Sequence, residues 1–223
     1  MAAKHNACTD CVRRGDRLFP VFMRPKTSLL LVLLLSGAAA SCTSVSSNYS
    51  AVRKETSVSK LSVCHGFDCR NRTSLSLSRG DADRFASIMA AGAASAEAER
   101  KAVGSAVSYF EDRAGQAIGI RDTAKSTIAQ SGRMGQMDCI DESTNTRTLL
   151  LYLQGRGLIR HHKVERNVSR GFFADGRYPH STAVLSDKGG RRWAIDSWYE
   201  PMGGRPDIMP LADWKKRGVM GQR

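Results

Sequence analysis

The sequence predicts an α+β domain in which helices come first and an antiparallel sheet follows. Three observations carry that reading. Apolar residues recur at three- and four-residue spacing between Phe85 and Ala117. A further helix opens at Asp138-Cys139 and runs through Leu149, Leu150 and Leu153. Beyond Leu158 the pattern becomes strand-like, and two runs are joined by Ser186-Asp-Lys-Gly-Gly190, a hairpin turn. Helices grouped ahead of strands describe α+β rather than alternating parallel units.

The 223 residues fit one domain of ordinary size with a leader and a linker. An apolar fraction of 41% is too high for a wholly disordered chain. No period repeats and only one apolar run approaches membrane length, which excludes solenoids and polytopic membrane proteins.

That run lies near the N-terminus. Residues 23–42 have a basic front, an apolar centre from Leu29 to Leu35 and small residues ending at Cys42. The centre is too short to span ~30 Å of hydrocarbon, so the segment reads as a secretory signal. Ala38-x-Ala40 suits ordinary signal cleavage, while Ala39-Ala40-Ser41-Cys42 resembles a bacterial lipobox with Ala39 in the usual Leu position, and would make Cys42 a lipidation site. Residues 1–22 read as an upstream extension ahead of a start at Met23, and Cys8 and Cys11 there lack a second ligand pair for zinc. The net charge is +13. Removing residues 1–41 leaves about +9, which suits anionic envelope surfaces. Nucleic acid is not expected, because no basic run is interleaved with aromatics.

Residues 43–78 read as a flexible tether carrying a Cys64–Cys69 loop, and residues 79–223 as the domain. In an oxidising compartment the two cysteines form a small-loop disulfide. Metal ligation is the alternative. Haem attachment is rejected because Arg70, not His, follows Cys69.

Asp81 or Asp83 is expected to cap a helix bearing Phe85, Ile88 and Met89 and ended by Gly92. A longer helix is expected from Ser95 to Ile118, with Val103, Val107, Phe110 and Ala114 on its core face. The helix opened by Asp138 stops at Gly155 or Gly157, and strands follow over 158–168, 181–185 and 192–198.

Three residues stand where a thiol enzyme needs them. Cys139 is at a helix start, where the field favours thiolate and the amides can hold an oxyanion. His180 precedes the first hairpin strand and Asp196 ends the second, which puts both at the same end of the hairpin. If Cys64 pairs with Cys69, Cys139 is left without a partner, as a reactive thiol or as a small core residue.

The stretch from Gly135 to Trp198 resembles the transglutaminase-like branch of the papain-type cysteine enzymes, including bacterial transglutaminase-like cysteine peptidases. The resemblance rests on Asp138-Cys139-x-Asp141-x-Ser143 opening a helix, then Pro179-His180-Ser-Thr-Ala-Val-Leu185, then Trp193-Ala-Ile-Asp196-Ser-Trp198. It implies a helix packed on an antiparallel sheet. It also implies nucleophile, base and orienting carboxylate for Cys139, His180 and Asp196, with peptide or amide cleavage or acyl transfer. Gln136, three residues before the cysteine, is a candidate oxyanion donor. Asp138 and Ile140 flank Cys139 in place of the family's small residue or Trp, and Asp138, Asp141 and Glu142 should raise the thiol pKa.

His161-His162 could bind metal or serve as an alternative base, but adjacent strand residues point to opposite faces, and surface histidines are the simpler reading. Trp193, Trp198 and Trp214 either wall a cleft around the imidazole or pack the core. The glycines at 171–176 and 203–204 are turn material without a phosphate-loop context. No cofactor and no metal site is expected. The sequence thus points to an exported thiol hydrolase acting on peptide or amide bonds of a peptide, protein or cell-wall peptide, held to a membrane by its signal or a lipid. The alternative is a non-catalytic envelope binding module with the same fold. Oligomeric state is not legible.

Overall fold

The structure, a computed structural model, describes residues 60–171 and 179–218. The expected extension, the signal segment with Cys42, and residues 43–59 lie outside the described residues, as do residues 172–178. The chain is mixed α and β with antiparallel pairing throughout. In order it forms β1 (Lys60–His65), β2 (Asn71–Ser76), α1 (Arg79–Ala90), α2 (Ala96–Ile118), α3 (Cys139–Gly155), β3 (His162–Val164), β4 (Val168–Arg170), β5 (His180–Asp187), β6 (Arg192–Asp196), β7 (Asp207–Pro210) and α4 (Leu211–Trp214). Among the described residues no helix is long and apolar enough to cross a membrane.

Residues 60–78 are not tether. Leu61 and Val63 on β1 and Leu75 on β2 are buried in the same core as the helices, and the two strands pair from Lys60↔Ser76 to His65↔Asn71. The polar residues between the apolar ones made the segment resemble a linker, yet on β1 Ser62 and His65 are buried with them. Its turn is a run of left-handed residues, Gly66, Phe67, Asp68 and Cys69, with φ of 84°, 71°, 52° and 52°. Three of them carry side chains, for which this conformation costs roughly 1–2 kcal/mol each. The Cys64–Cys69 disulfide closes this turn.

Helix α1 starts earlier than expected. Ser78 is the cap and Asp81 its reciprocal partner, with the Asp81 amide donating to Ser78 Oγ at 3.0 Å and the Ser78 amide to Asp81 Oδ2 at 2.7 Å. Ser95 caps α2, and Gly119 ends it at φ 81°. Asp138 caps α3 through the amides of Ile140 and Asp141.

The predicted strand 158–168 is divided. β3 pairs with the far end of β5 (Val164↔Leu185) and β4 with its near end (Arg170↔His180), so one eight-residue strand is flanked by two short ones. The β5–β6 hairpin pairs Ala183↔Ile195 through Ser186↔Arg192, and β7 adds beyond β6.

One face of the sheet carries Ala183, Leu185 and Ile195 into the core formed with Phe85, Phe110, Leu149 and Leu153 from the helices. Each such side chain contributes about 1.5–3 kcal/mol by leaving water. On the other face Val184 and Ala194 are covered by Leu211 and Trp214 of α4. This second layer brings Trp214 onto the strand that carries Asp196.

Candidate active site

The hairpin register places the base and the carboxylate. Ala183 lies opposite Ile195, so one further step along the ladder sets Thr182 opposite Asp196. His180 is two residues away on the same face, the diagonal neighbour. His180 Nε2 and Asp196 Oδ2 are 2.7 Å apart, with the residues only 3% and 2% exposed. Trp214 Nε1 donates to the same Oδ2 at 2.7 Å. The imidazole is jacketed by Trp198, Tyr199 and Trp214, with ring centroids 4.8, 5.6 and 5.7 Å away. Its other nitrogen, Nδ1, is buried and has no hydrogen-bond partner among the described residues.

Cys139 is the first residue of α3 and is not disulfide-bonded. Its thiol donates to the Pro179 carbonyl at 4.0 Å and accepts from the Ser181 amide, so the sulfur lies against the backbone on both sides of His180. Sulfur, imidazole and carboxylate are therefore gathered at one end of β5, with the thiol turned toward the backbone. Burial, and after it the Asp138 carboxylate, push this thiol up to about 12. Asp196 and Glu142 act in the same direction.

The acid surroundings are extensive. Glu142 projects from the first turn of α3 toward Asp122 and Glu111, and no cation joins them in the contacts described. Burial raises all three, Glu111 to about 8 and Glu142 well above its ordinary value; neighbouring carboxylates add to the rise at Glu111 and Glu142, while hydrogen bonds hold Asp122 back. The Glu142 and Asp122 carboxyls are within hydrogen-bond reach of each other, and among the described residues no other donor meets Glu142 Oε2 or Asp122 Oδ2. Burial and Asp138 likewise lift Asp141 to about 8, although it accepts the amides of Phe67 at 2.7 Å and Cys69 at 2.6 Å. The Asp68 amide reaches Asp138 Oδ2 at 3.1 Å. The disulfide turn is thus bonded to both acids that flank the thiol. Cys64, Cys69 and Asp141 come within metal-ligand proximity of one another, but the two sulfurs are bonded together.

Two sequence expectations for the oxyanion meet competing bonds. The Gln136 amide is engaged in the preceding loop: its Oε1 accepts from Thr123 at 3.0 Å and Gln130 at 2.8 Å, and its Nε2 donates to the Arg121 carbonyl at 3.3 Å. It braces that loop and is not aimed at Cys139. Of the helix-start amides, those of Ile140 and Asp141 go to the Asp138 carboxylate and that of Glu142 to the Asp138 carbonyl. The remaining one is Cys139's own.

Of the two adjacent histidines only His162 departs from the surface reading, His161 being half-buried. His162 is buried with Nδ1 2.8 Å from Glu99 Oε1 and Nε2 3.3 Å from Arg100, and His161 Nε2 lies 2.9 Å from the Ala93 carbonyl. His162 fastens the 160–162 segment to α2, and the His161 side chain ties it to the α1–α2 turn. The tryptophans separate likewise: Trp198 and Trp214 pack on His180, while Trp193 stacks under Arg100 at 3.6 Å.

Two neighbours of the site were not anticipated. Tyr199 follows Trp198 directly, so the aromatic pair was its only sequence signal. Arg170, 6% exposed, pairs across the ladder with His180 and stacks over Trp214 at 4.2 Å. A single Arg in a short strand carries no pattern that singles it out. No family model, curated protein or solved structure matches the chain.

Proposed function

We propose that the chain is an exported thiol hydrolase of transglutaminase-like fold that acts on peptide or amide bonds through Cys139, His180 and Asp196. The observation that carries this reading is the buried His180–Asp196 pair at 2.7 Å, whose vacant Nδ1 belongs to the residue against which the Cys139 sulfur lies. The reaction needs the Cys139 thiol to turn from the Pro179 carbonyl to Nδ1. The thiol proton then passes to Nδ1 as sulfur bonds to the substrate carbonyl carbon, and the carbonyl π electrons move onto oxygen. Collapse of that intermediate breaks the C–N bond, and the leaving amine takes the proton from Nδ1. Water adds to the thioester, gives its proton to Nδ1, and releases the acid and the thiol. Asp196 holds the imidazole orientation and stabilises its charged form.

The substrate class is a peptide, protein or cell-wall peptide. Residues 23–42 export the chain to the bacterial cell envelope, and Cys42 offers a lipid anchor. The Cys64–Cys69 disulfide fits an oxidising compartment.

A second reading has its own support. A thiol pushed to about 12 and an acid-lined helix start suit a protein that keeps the fold to bind rather than cleave. The test is alkylation of Cys139 in the full chain across pH, parent against His180→Ala. The enzyme reading expects an inflection well below the ordinary thiol value of about 8.5, lost without the imidazole. An inflection above that value in both proteins would leave the binding module.

A further inference from the structure

We infer that Trp214 and Arg170 are positioning residues that set the protonation of the His180–Asp196 pair. The argument starts from what each group can donate. An indole N–H only donates, so the oxygen it meets acts as an acceptor. Trp214 Nε1 and His180 Nε2 both lie 2.7 Å from Asp196 Oδ2. Two donors on one oxygen suit a carboxylate better than a carboxylic acid, so the indole proton favours meeting the imidazole contact with a proton on Nε2. The lone pair of neutral His180 is then on Nδ1, the nitrogen without a partner and the one a thiol proton must reach. Without the indole, a proton on Asp196 and a lone pair on Nε2 would satisfy the same 2.7 Å contact and point the imidazole chemistry the wrong way.

Arg170 fixes the indole and supplies the opposite charge. Its guanidinium stacks over the Trp214 ring at 4.2 Å, Nη1 donates to the Trp214 carbonyl, and Nη2 donates to the Tyr199 hydroxyl at 3.1 Å. Gly218, at φ 87°, closes over the guanidinium, where an added Cβ would come within 3.3 Å. Helix α4 has only four residues, so its own backbone bonds are too few to hold Trp214 in place. The arginine does so from β4. It is also a buried cation close to Asp196: the charged or titratable groups around the pair are Asp138, Cys139 and Glu142 at the start of α3, Arg170 from β4, Tyr199 after β6 with Lys125 over its ring, and Asp207 opposite Asp196 on β7 with its partner Arg217. A buried cation separated from the carboxylate by an aromatic ring offsets its charge without competing for its oxygen. The catalytic meaning of this arrangement rests on the thiol-hydrolase reading, whereas its effect on the imidazole does not.

The experiment is 15N NMR of the histidine imidazoles in the full chain, with the His180 signals assigned by comparison with His180→Ala. Neutral His180 in the parent is expected to carry its proton on Nε2. Trp214→Phe keeps the ring and removes the donor. Asp196 then directs its charge at the imidazole alone, and the midpoint moves to higher pH by about one unit, a tenfold change in proton affinity. Arg170→Met moves it in the same direction by less, and Arg170→Lys, which keeps the charge, stays nearer the parent. The His180 inflection in the pH profile of Cys139 alkylation shifts in parallel. A parent proton on Nδ1, or a Trp214→Phe protein with unchanged midpoint and tautomer, overturns the inference. Should Trp214→Phe fail to fold, the Arg170 variants decide, and equal midpoints for Met and Lys overturn the charge role. If the midpoints move as expected but no peptide or amide is ever cleaved, the positioning stands and the hydrolase reading falls.

Discussion

Two sets of buried carboxylates in this molecule are built in opposite ways. Asp81 and Glu99 are surrounded by donors: Asp81 receives the Tyr109 hydroxyl at 2.6 Å, the Arg113 guanidinium at 2.8 Å and its own cap serine, while Glu99 receives His162 and the amides of Arg160 and His161. These hydrogen bonds outweigh burial and hold both acids below the ordinary carboxylate range. Glu111 and Asp122 also accept hydrogen bonds, from the Gly203 amide at 2.8 Å and from the Ser126 hydroxyl at 2.8 Å and the Met137 amide at 3.0 Å, but here burial outweighs them and drives these two acids and Glu142 upward. The first set fastens helices and strands together. The second opposes folding at neutral pH and adjoins the Cys139 helix start. An unfavourable acid cluster there is evidence of a site shaped by something other than stability.

The largest effect expected from this contrast is at Glu99. Glu99→Ala leaves His162 and two backbone amides buried without their acceptor, and should cost about 3–5 kcal/mol in urea unfolding. A loss under 1 kcal/mol would show that the segment 160–162 is not fastened as described. Asp81→Asn keeps the size but loses the charge that Arg113 and Tyr109 address, for an expected loss of about 1–3 kcal/mol. Its pH signature is also specific. The folded pKa is depressed, so the contribution is present above the ordinary value of 3.8 and is lost as pH falls through the folded value. Asp81→Asn should therefore destabilise at pH 7 and lose its effect in strong acid.

Glu111→Gln is the change with the opposite sign. The folded protein holds a proton on Glu111 up to about pH 8, whereas the unfolded chain releases it near 4.5. Between those values the native state binds more protons, so stability falls as pH rises, by at most about 1.4 kcal/mol per pH unit. Replacing the acid by its neutral amide should flatten the stability profile over that window and leave acid-side stability nearly unchanged. A profile as steep as the parent's would mean that the cluster is ionised and balanced by something other than its own protons.

Much of the scaffold was legible because local rules govern it. Ser95 before a periodic apolar run, Asp138 ahead of Asp141 and the Gly189-Gly190 turn each act through bonds within a few residues, and α2, α3 and the β5–β6 hairpin follow from them. The Cys64–Cys69 pairing was legible for the same reason, the partners being five residues apart. The β1–β2 hairpin was not, because its polar residues, Ser62 and His65 among them, are buried by contacts with distant parts of the chain and only that packing, with Leu61, Val63 and Leu75, distinguishes it from a linker.

Sequence alone determined which residue types stand at the start of α3 and at the ends of the hairpin, and hence that a sulfur, an imidazole and a carboxylate were candidates for one site. Tertiary structure decided what surrounds them. Glu111 and Asp122 reach Glu142 from α2 and the following loop, Trp214 reaches Asp196 across 18 residues, and Arg170 reaches Trp214 across 44. Gln136 was drawn away from the site by Thr123 and Gln130, partners of its own loop. The physical reason is that a titratable group's behaviour is set by the desolvation and charges within a few ångströms, and for these groups nearly all of that comes from distant parts of the chain.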